Sequence, residues 1–332
     1  METHLEMIAR MNAEMDRVLS PFVNQGPIAF LDFPDYPNVG DTAIWLGSMA
    51  FLAKRGLSPS FISTMSRVNV EAIRPQQTIY LQGGGNLGDV WSKYWPNPQE
   101  FREAVIERFP DKTIIQLPQS INFQSERNAD RAARVFEKHP NFLLLVRDAR
   151  SLEFARRKFQ CRVALCPDMA FALGSVNKVG RSNGRTLFLL RTDIEKAQTS
   201  SLKQTSIPPN GDVADWIEEP RWTTAAAIGR ALITSGVPQL VKGGRRRQWM
   251  MDFYKRKAEL RFLRGITLLS AYDQIVSDRL HVHIVSSLLG IPHIVLDNNY
   301  GKISGIIDAF STDWQGVRRA STLDEAIIMN GK

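Results

Sequence analysis

Short apolar runs and helical repeats alternate along most of the chain. In the first half the runs are PIAFLDF (27–33), SPSFIST (58–64), TIYLQ (78–82), KTIIQL (112–117), NFLLLV (141–146) and CRVALC (161–166). Their length and their Ile, Val, Leu and Phe content suit strands buried on both faces. Between them, residues 41–55 and 126–139 repeat apolar positions at helical spacing. The alternation predicts α/β architecture, a parallel sheet with helices on its faces. A polar stretch, GSVNKVGRSNGR (174–185), interrupts the pattern and reads as a linker. The alternation then resumes with TLFLLR (186–191), a helix at 223–235, a basic helix over 242–265, GITLLS (265–270), DQIVS (273–277), a helix at 280–289 and HIVLDN (293–298). Two domains follow from this layout, 1–173 and 186–332, with a cleft between them. Ligands of open α/β sheets sit beyond the carboxyl ends of the strands, so residues at those ends are the candidates for chemistry.

A chain of 332 residues is long for one core, which agrees with two domains. The N-terminal segment has apolar residues at Leu5, Ile8, Met15, Val18 and Leu19 among acids, the pattern of an amphipathic helix and not of a leader peptide. No run approaches the ~18 apolar residues of a membrane span. The two cysteines, Cys161 and Cys166, read as reduced core thiols of a cytoplasmic protein. A net charge of +8 favours acidic partners, and much of the excess is local. Residues 242–265 hold nine Lys/Arg against two acids, interleaved with Trp249, Met250, Phe253, Tyr254 and Leu260. No nucleic-acid-binding motif accompanies that stretch, which disfavours nucleic acid. A solvated helix face and a contact with an anionic membrane surface are the remaining readings.

Three strand ends carry further polar groups. In DYPNVGDTAIWLG (35–47), Asn38 and Gly40 form a turn, and Asp41 is placed to cap a helix starting at Thr42. Asn38 and Asp41 would then offer polar groups to a hydroxyl-rich ligand. In YLQGGGNLGDVWSKYWP (80–96), Gly83, Gly85 and Gly88 spell the dinucleotide fingerprint. That fingerprint needs a helix after its third glycine, and Pro96 and Pro98 forbid a long one. The loop is better read as a surface that a ligand approaches closely, with Gly84, Gly85 and Asn86 beside it and Trp91, Tyr94 and Trp95 offering flat faces to a sugar. LFLLRTDIE (187–195) ends a strand in Arg191, whose planar fork suits a carboxylate or phosphate.

The segment VSDRLHVHIVSSLLGIPHIVLDNN (276–299) concentrates ionisable groups where an apolar strand meets an apolar helix. Leu280, Ile284 and Leu288 form one inward stripe, and Gly290 ends the helix. His281 and His283, two residues apart, point about 200° apart around that helix and cannot share a metal ion. Arg279 and His281 fall in the first turn, where free N–H groups favour an anion and an imidazole can move a proton near neutral pH. His283 reads as structural.

Taken together and in order, NVGDTAIWLG, LQGGGNLGD and SDRLHVHIVSSLLGIPHIVLDNNYGK resemble the polysaccharide pyruvyl transferase family, in particular its bacterial exopolysaccharide branch. The resemblance spans roughly residues 27–310. It implies two Rossmann-like domains facing a cleft, similar to GT-B glycosyltransferases. It also implies transfer of the pyruvyl group of phosphoenolpyruvate to a sugar, usually as a ketal, with release of phosphate. The family's phosphoenolpyruvate-binding Arg-Leu-His falls on Arg279, Leu280 and His281, and Arg191 is the counterpart of a second arginine. C2 of phosphoenolpyruvate becomes electrophilic when C3 accepts a proton, so a general acid is needed, and His281 is the candidate. The scheme demands no metal and no cofactor. The implied acceptor is a lipid-linked oligosaccharide, which gives the basic helix a purpose in peripheral docking at the inner face of the membrane. Two other readings compete: a GT-B glycosyltransferase using a nucleotide sugar, and a non-enzymatic sugar- or membrane-binding protein.

Overall fold

A computed structural model describes residues 2–190, 207–216, 219–220, 222–235, 244–297, 302–311 and 313–330. It contains two parallel sheets with helices packed on their faces. The first sheet is built from β1 (Ile28–Leu31), β2 (Phe61–Ser63), β3 (Thr78–Leu81), β4 (Gly84–Gly88), β5 (Thr113–Asn122), β6 (Phe142–Val146) and β7 (Arg162–Leu165). Its order is β2-β1-β3-β5-β6-β7, with β4 also on β5. The second comprises β8 (Thr186–Leu189), β9 (Gly211–Val213), β10 (Gln274–Ser277), β11 (His293–Leu296) and β12 (Val317–Ala320), in the order β12-β11-β10-β8-β9. All described pairings are parallel. The polar run 174–185 lies between β7 and β8 without regular structure.

Burial explains the strand composition. Every residue of β1, β3, β6, β8 and β11 is buried, as expected for strands covered on both sides. Helices α1 (His4–Leu19), α2 (Val39–Ala53), α3 (Val70–Ile73), α4 (Pro98–Arg108), α5 (Glu126–Lys138) and α6 (Ala149–Lys158) belong to the first half of the chain. α7 (Trp222–Ser235), α8 (Gly244–Ser270), α9 (Leu280–Leu289), α10 (Lys302–Phe310) and α11 (Leu323–Asn330) follow. α5 shows the usual amphipathic logic: Ala129, Ala132, Val135 and Phe136 face inward on an otherwise charged helix. α2 is different, apolar nearly all round, because it is enclosed by the turn at Met169–Leu173, by α8 and by α9. One apolar cluster therefore runs from Ile28 and Phe30 of the first sheet to Ile275 and Val295 of the second.

Three local expectations need correction. Asn38, and not Asp41, caps α2, which begins at Val39: the Asn38 side chain accepts the Gly40 N–H, and Asp41 lies inside the first turn. GITLLS (265–270) is the end of the long helix α8 and not a strand; Ile266 and Leu269 are buried on its inner face. The glycine loop contains a short strand, β4, that continues the line of β3 along the unusually long β5. An alternating pattern could not reveal it, because three of its five residues are Gly.

The basic helix α8 is also less solvated than its charge suggests. Lys257 pairs with Asp35 at 2.5 Å, and Arg261 donates to Pro34 O at 3.0 Å and holds Glu219 at 2.5 Å. Arg264 donates to Trp216 O at 2.7 Å and to Pro37 O at 3.3 Å. These three cations fasten the loop after β1. Arg247 and Lys255 remain exposed, while the side chains of Arg245 and Arg246 lie outside the described residues.

Candidate active site

The loops at the carboxyl ends of β1, β3, β6 and β10 converge on one cavity of about 600 Å³. Asn38, Asp41, Gly85, Asn86 and Trp91 line it from the first half of the chain, and Arg279, Leu280 and His281 from the second. Gly84 is buried between two lining glycines; its φ of +141° is a conformation that side chains rarely adopt. Arg191 lies outside the described residues.

Two parts of the cavity lining differ in chemistry. On one, Asn38 donates to Asp41 Oδ2 at 2.8 Å and Tyr36 OH donates to the same oxygen at 3.0 Å, while Gln82 holds the Asp41 carbonyl at 3.0 Å. Asn86 accepts from Arg102 at 2.9 Å and from Gln119 at 3.0 Å through its Oδ1. Trp91 and Tyr94 pack together at 5.3 Å, and Trp95 at the rim is 92% exposed.

The other wall is basic. Arg279 stands two residues beyond β10, extended, as the residue just ahead of α9, its N–H held by Ser277 Oγ at 3.1 Å. Its guanidinium donates to Asp215 at 2.8 Å and is almost wholly buried. His281 follows in the first turn of α9, and its Nε2 lies 3.7 Å from Asp168 Oδ2 and 3.4 Å from Arg147 Nη1. Arg147 itself binds Asp168 at 2.5 Å and Ser120 at 3.0 Å. Burial would raise the Asp168 carboxyl, but His281 and the Arg147 charge outweigh it and bring it down to about 2, so Asp168 is an anion. The far side of the imidazole rests on α2: a Cβ at Gly40 would stand 2.2 Å from His281 Nδ1. Only glycine at position 40 leaves room for the ring there.

His283 points away from this cavity. It is fully buried, with Nδ1 2.8 Å from His293 Nε2, and His293 Nδ1 is 2.9 Å from Ile291 O. Burial pushes His283 far below its usual range and His293 down to about 4, so both rings are neutral and relay hydrogen bonds within the core. Among the described residues, no cluster of His, Cys, Asp or Glu could hold a metal ion.

Sequence reading missed Asp32, Arg147, Asp168 and Asp215. Asp32, Arg147 and Asp168 stand just after apolar strand runs, in FLDF, LLVRD and LCPDM. The rule that singled out Arg191, a charge ending an apolar strand, would have found all three. Asp215 lay in a stretch without a periodic signal.

Known proteins resemble this chain in sequence and in fold. The profile of a family described as polysaccharide pyruvyl transferase matches residues 38–300. A Bacillus subtilis (strain 168) protein carried under the provisional name pyruvyl transferase EpsO is 30% identical over 98% of this chain and 97% of its own length. Pyruvyl transferase 1 of Schizosaccharomyces pombe is 28% identical over 83% of this chain and 68% of its own. In fold, the chain resembles a crystal structure of a functionally uncharacterised Klebsiella pneumoniae protein, with a TM-score of 0.57, 15% identity and coverage of 94% and 99% of the two chains.

Proposed function

This chain belongs to the polysaccharide pyruvyl transferase family and is an enzyme; on that premise we propose that it moves the pyruvyl group of phosphoenolpyruvate onto a sugar of an exopolysaccharide repeat unit as a ketal, releasing phosphate. The observation that carries the reading is the division of one cavity into a basic wall, Arg279 with His281 and Arg147, and a wall of carboxylates, amides and aromatic faces. Phosphoenolpyruvate carries a carboxylate and a phosphate, which suit a planar guanidinium at a helix N-terminus. Sugar hydroxyls suit Asn38, Asp41 and Asn86, and a pyranose face suits Trp91. In this reading the two sheets belong to two Rossmann-like domains, 1–173 and 186–332, joined by 174–185, and the cavity is the cleft between them. Arg191 is the second donor-binding arginine that the resemblance implies.

The chemistry assigns each wall a task. Arg279, Leu280 and His281 hold the donor, and His281 gives its proton to C3 so that C2 becomes electrophilic. The Asp168 carboxylate, 3.7 Å from Nε2, keeps an anion beside the ring, while Gly40 leaves room for the ring against α2. A sugar hydroxyl attacks C2, phosphate departs, and a second hydroxyl closes the ketal.

The membrane contact is part of the same proposal. No described helix is long and apolar enough to cross a membrane. α7 packs on α8 and leaves Trp222 60% and Ile233 81% exposed, close in sequence to the Arg245–Arg247 run. Such a pairing of exposed apolar and basic groups suits the anionic inner leaflet, where a cytoplasmic enzyme would meet a lipid-linked oligosaccharide acceptor.

Calorimetric titration with phosphoenolpyruvate tests the donor assignment. Binding to the wild type, lost in Arg279→Ala and weakened in Arg279→Lys, is expected, because a point charge does not replace a bidentate fork. Equal affinity in all three would remove Arg279 from the donor site.

A further inference from the structure

Asp32 follows β1 immediately and lines the cavity, yet the donor chemistry above gives it no task. Its backbone is unusual: φ is +69°, and among the described residues no other non-glycine has a positive φ. Strain of this kind persists where surrounding structure enforces it and concentrates at sites of function. Asp32 lines the same cavity as Asn86 and Asp41. Asn86 Oδ1 is fully occupied by Arg102 and Gln119, which leaves its amide N–H₂ to meet the Asp32 carboxylate. The amide therefore orients the carboxylate without neutralising it.

The charged groups facing Asp32 are Arg102 from α4 and Asp41 from α2. Arg102 is committed elsewhere: its Nε, Nη1 and Nη2 donate to Gln116 at 2.5 Å, Pro98 O at 3.2 Å and Asn86 at 2.9 Å. Asp41 is tied to Tyr36, Asn38 and the start of α2. Of the two aspartates, Asp32 is the more deeply buried and the less encumbered by donors.

We propose that Asp32 is the catalytic base that takes the proton of the attacking acceptor hydroxyl. The proposal rests on the pyruvyl-transfer reading and completes its proton traffic. The first hydroxyl oxygen bonds to C2 while its proton passes to Asp32 and C3 takes a proton from His281. The bond between C2 and the phosphate oxygen then breaks, and phosphate leaves with its electron pair. The second hydroxyl closes the ketal and returns a proton to His281, and Asp32 yields its proton to the departing phosphate. Two hydroxyl protons are thus consumed, one ending in the methyl group and one on phosphate, with no change of oxidation state overall. Burial raises the Asp32 carboxyl to about 7, with the Asp41 charge adding and Arg102 and Asn86 opposing, which matches a base working near neutrality.

The test compares wild type and Asp32→Asn as full chains, with phosphoenolpyruvate and a panel of p-nitrophenyl hexopyranosides as acceptors. Asn tolerates positive φ, so the variant should fold. Phosphate release should fall by about 10²–10⁴-fold while phosphoenolpyruvate affinity by calorimetry changes less than about twofold. The wild type should lose kcat/KM as pH falls below about 7, and the residual activity of the variant should lack that limb. A variant that turns over like the wild type, or that keeps the acid limb, overturns the assignment of Asp32 while leaving pyruvyl transfer intact. A wild type that binds no phosphoenolpyruvate and releases no phosphate with any acceptor overturns both.

Discussion

Asp32 offers a prediction that needs no acceptor, because its cost can be read as stability. The perturbation is Asp32→Asn, which keeps size and backbone preference and removes the titration. The carboxyl is raised to about 7 from its ordinary 3.8, chiefly by burial. A raised carboxyl contributes stability that is fully present below the unfolded value and is lost as pH climbs through the folded value. The rise from 3.8 to about 7 is worth roughly 4 kcal/mol, which the wild type should forfeit between about pH 4 and pH 8 relative to a variant that stays neutral. In a chain of this length that difference corresponds to roughly 5 °C in melting temperature. Scanning calorimetry of both proteins at about pH 4.5 and pH 8 reads it as a difference of differences, which cancels the titrating groups that do not interact with Asp32. The gap between variant and wild type should widen in favour of the variant at the higher pH. An equal gap at both pH values would refute the picture of Asp32 as a desolvated carboxylate held for function at the expense of stability.

The two histidines of α9 should behave oppositely. His281→Ala should lower turnover by about 10²–10⁴-fold with the fold retained, whereas His283→Ala, which strands buried His293, should cost about 1–3 kcal/mol of stability and little turnover; steady-state rates and denaturation midpoints separate the two. Gly40→Ala should displace the His281 ring, since its new Cβ would stand 2.2 Å from Nδ1; kcat should drop in a protein whose circular dichroism is unchanged, and normal turnover would show that the ring position is not critical. Replacing Arg245, Arg246 and Arg247 by Ser should reduce sedimentation with anionic liposomes, which itself should fade as salt rises. Equal sedimentation with neutral and anionic vesicles, or none with either, would end the membrane reading.

How legible the molecule was depended on whether local pattern or tertiary neighbours decided the outcome. The parallel α/β alternation was visible because strands such as 142–146 are uninterrupted apolar runs, and α9 matched its predicted bounds because Gly290 stops it in a left-handed turn. The run 265–270 was misread because a helix buried against α2 and α9 looks like a buried strand. The candidate polar residues at the ends of β1, β3 and β10 could be placed near one another by the strand-end rule alone. What no pattern displays is the reach between distant segments. Asp168 anchors His281 across more than a hundred positions of sequence, and three cations of α8 clasp the loop after β1. The basic stretch looked like a solvated surface because nothing local tells an exposed arginine from one whose partner is a distant backbone carbonyl.

The central claim is that this cavity delivers a proton to C3 of phosphoenolpyruvate and an acceptor oxygen to C2. Its most direct test is a reaction in deuterium oxide with phosphoenolpyruvate and lipid-linked oligosaccharide extracted from exopolysaccharide-producing cells. Phosphate is quantified, and the product is read by mass spectrometry and proton NMR. The account predicts phosphate release in step with formation of a ketal whose methyl group carries one deuterium, both abolished in His281→Ala. Transfer of a hexose from a nucleotide sugar with no phosphate released from phosphoenolpyruvate would contradict it.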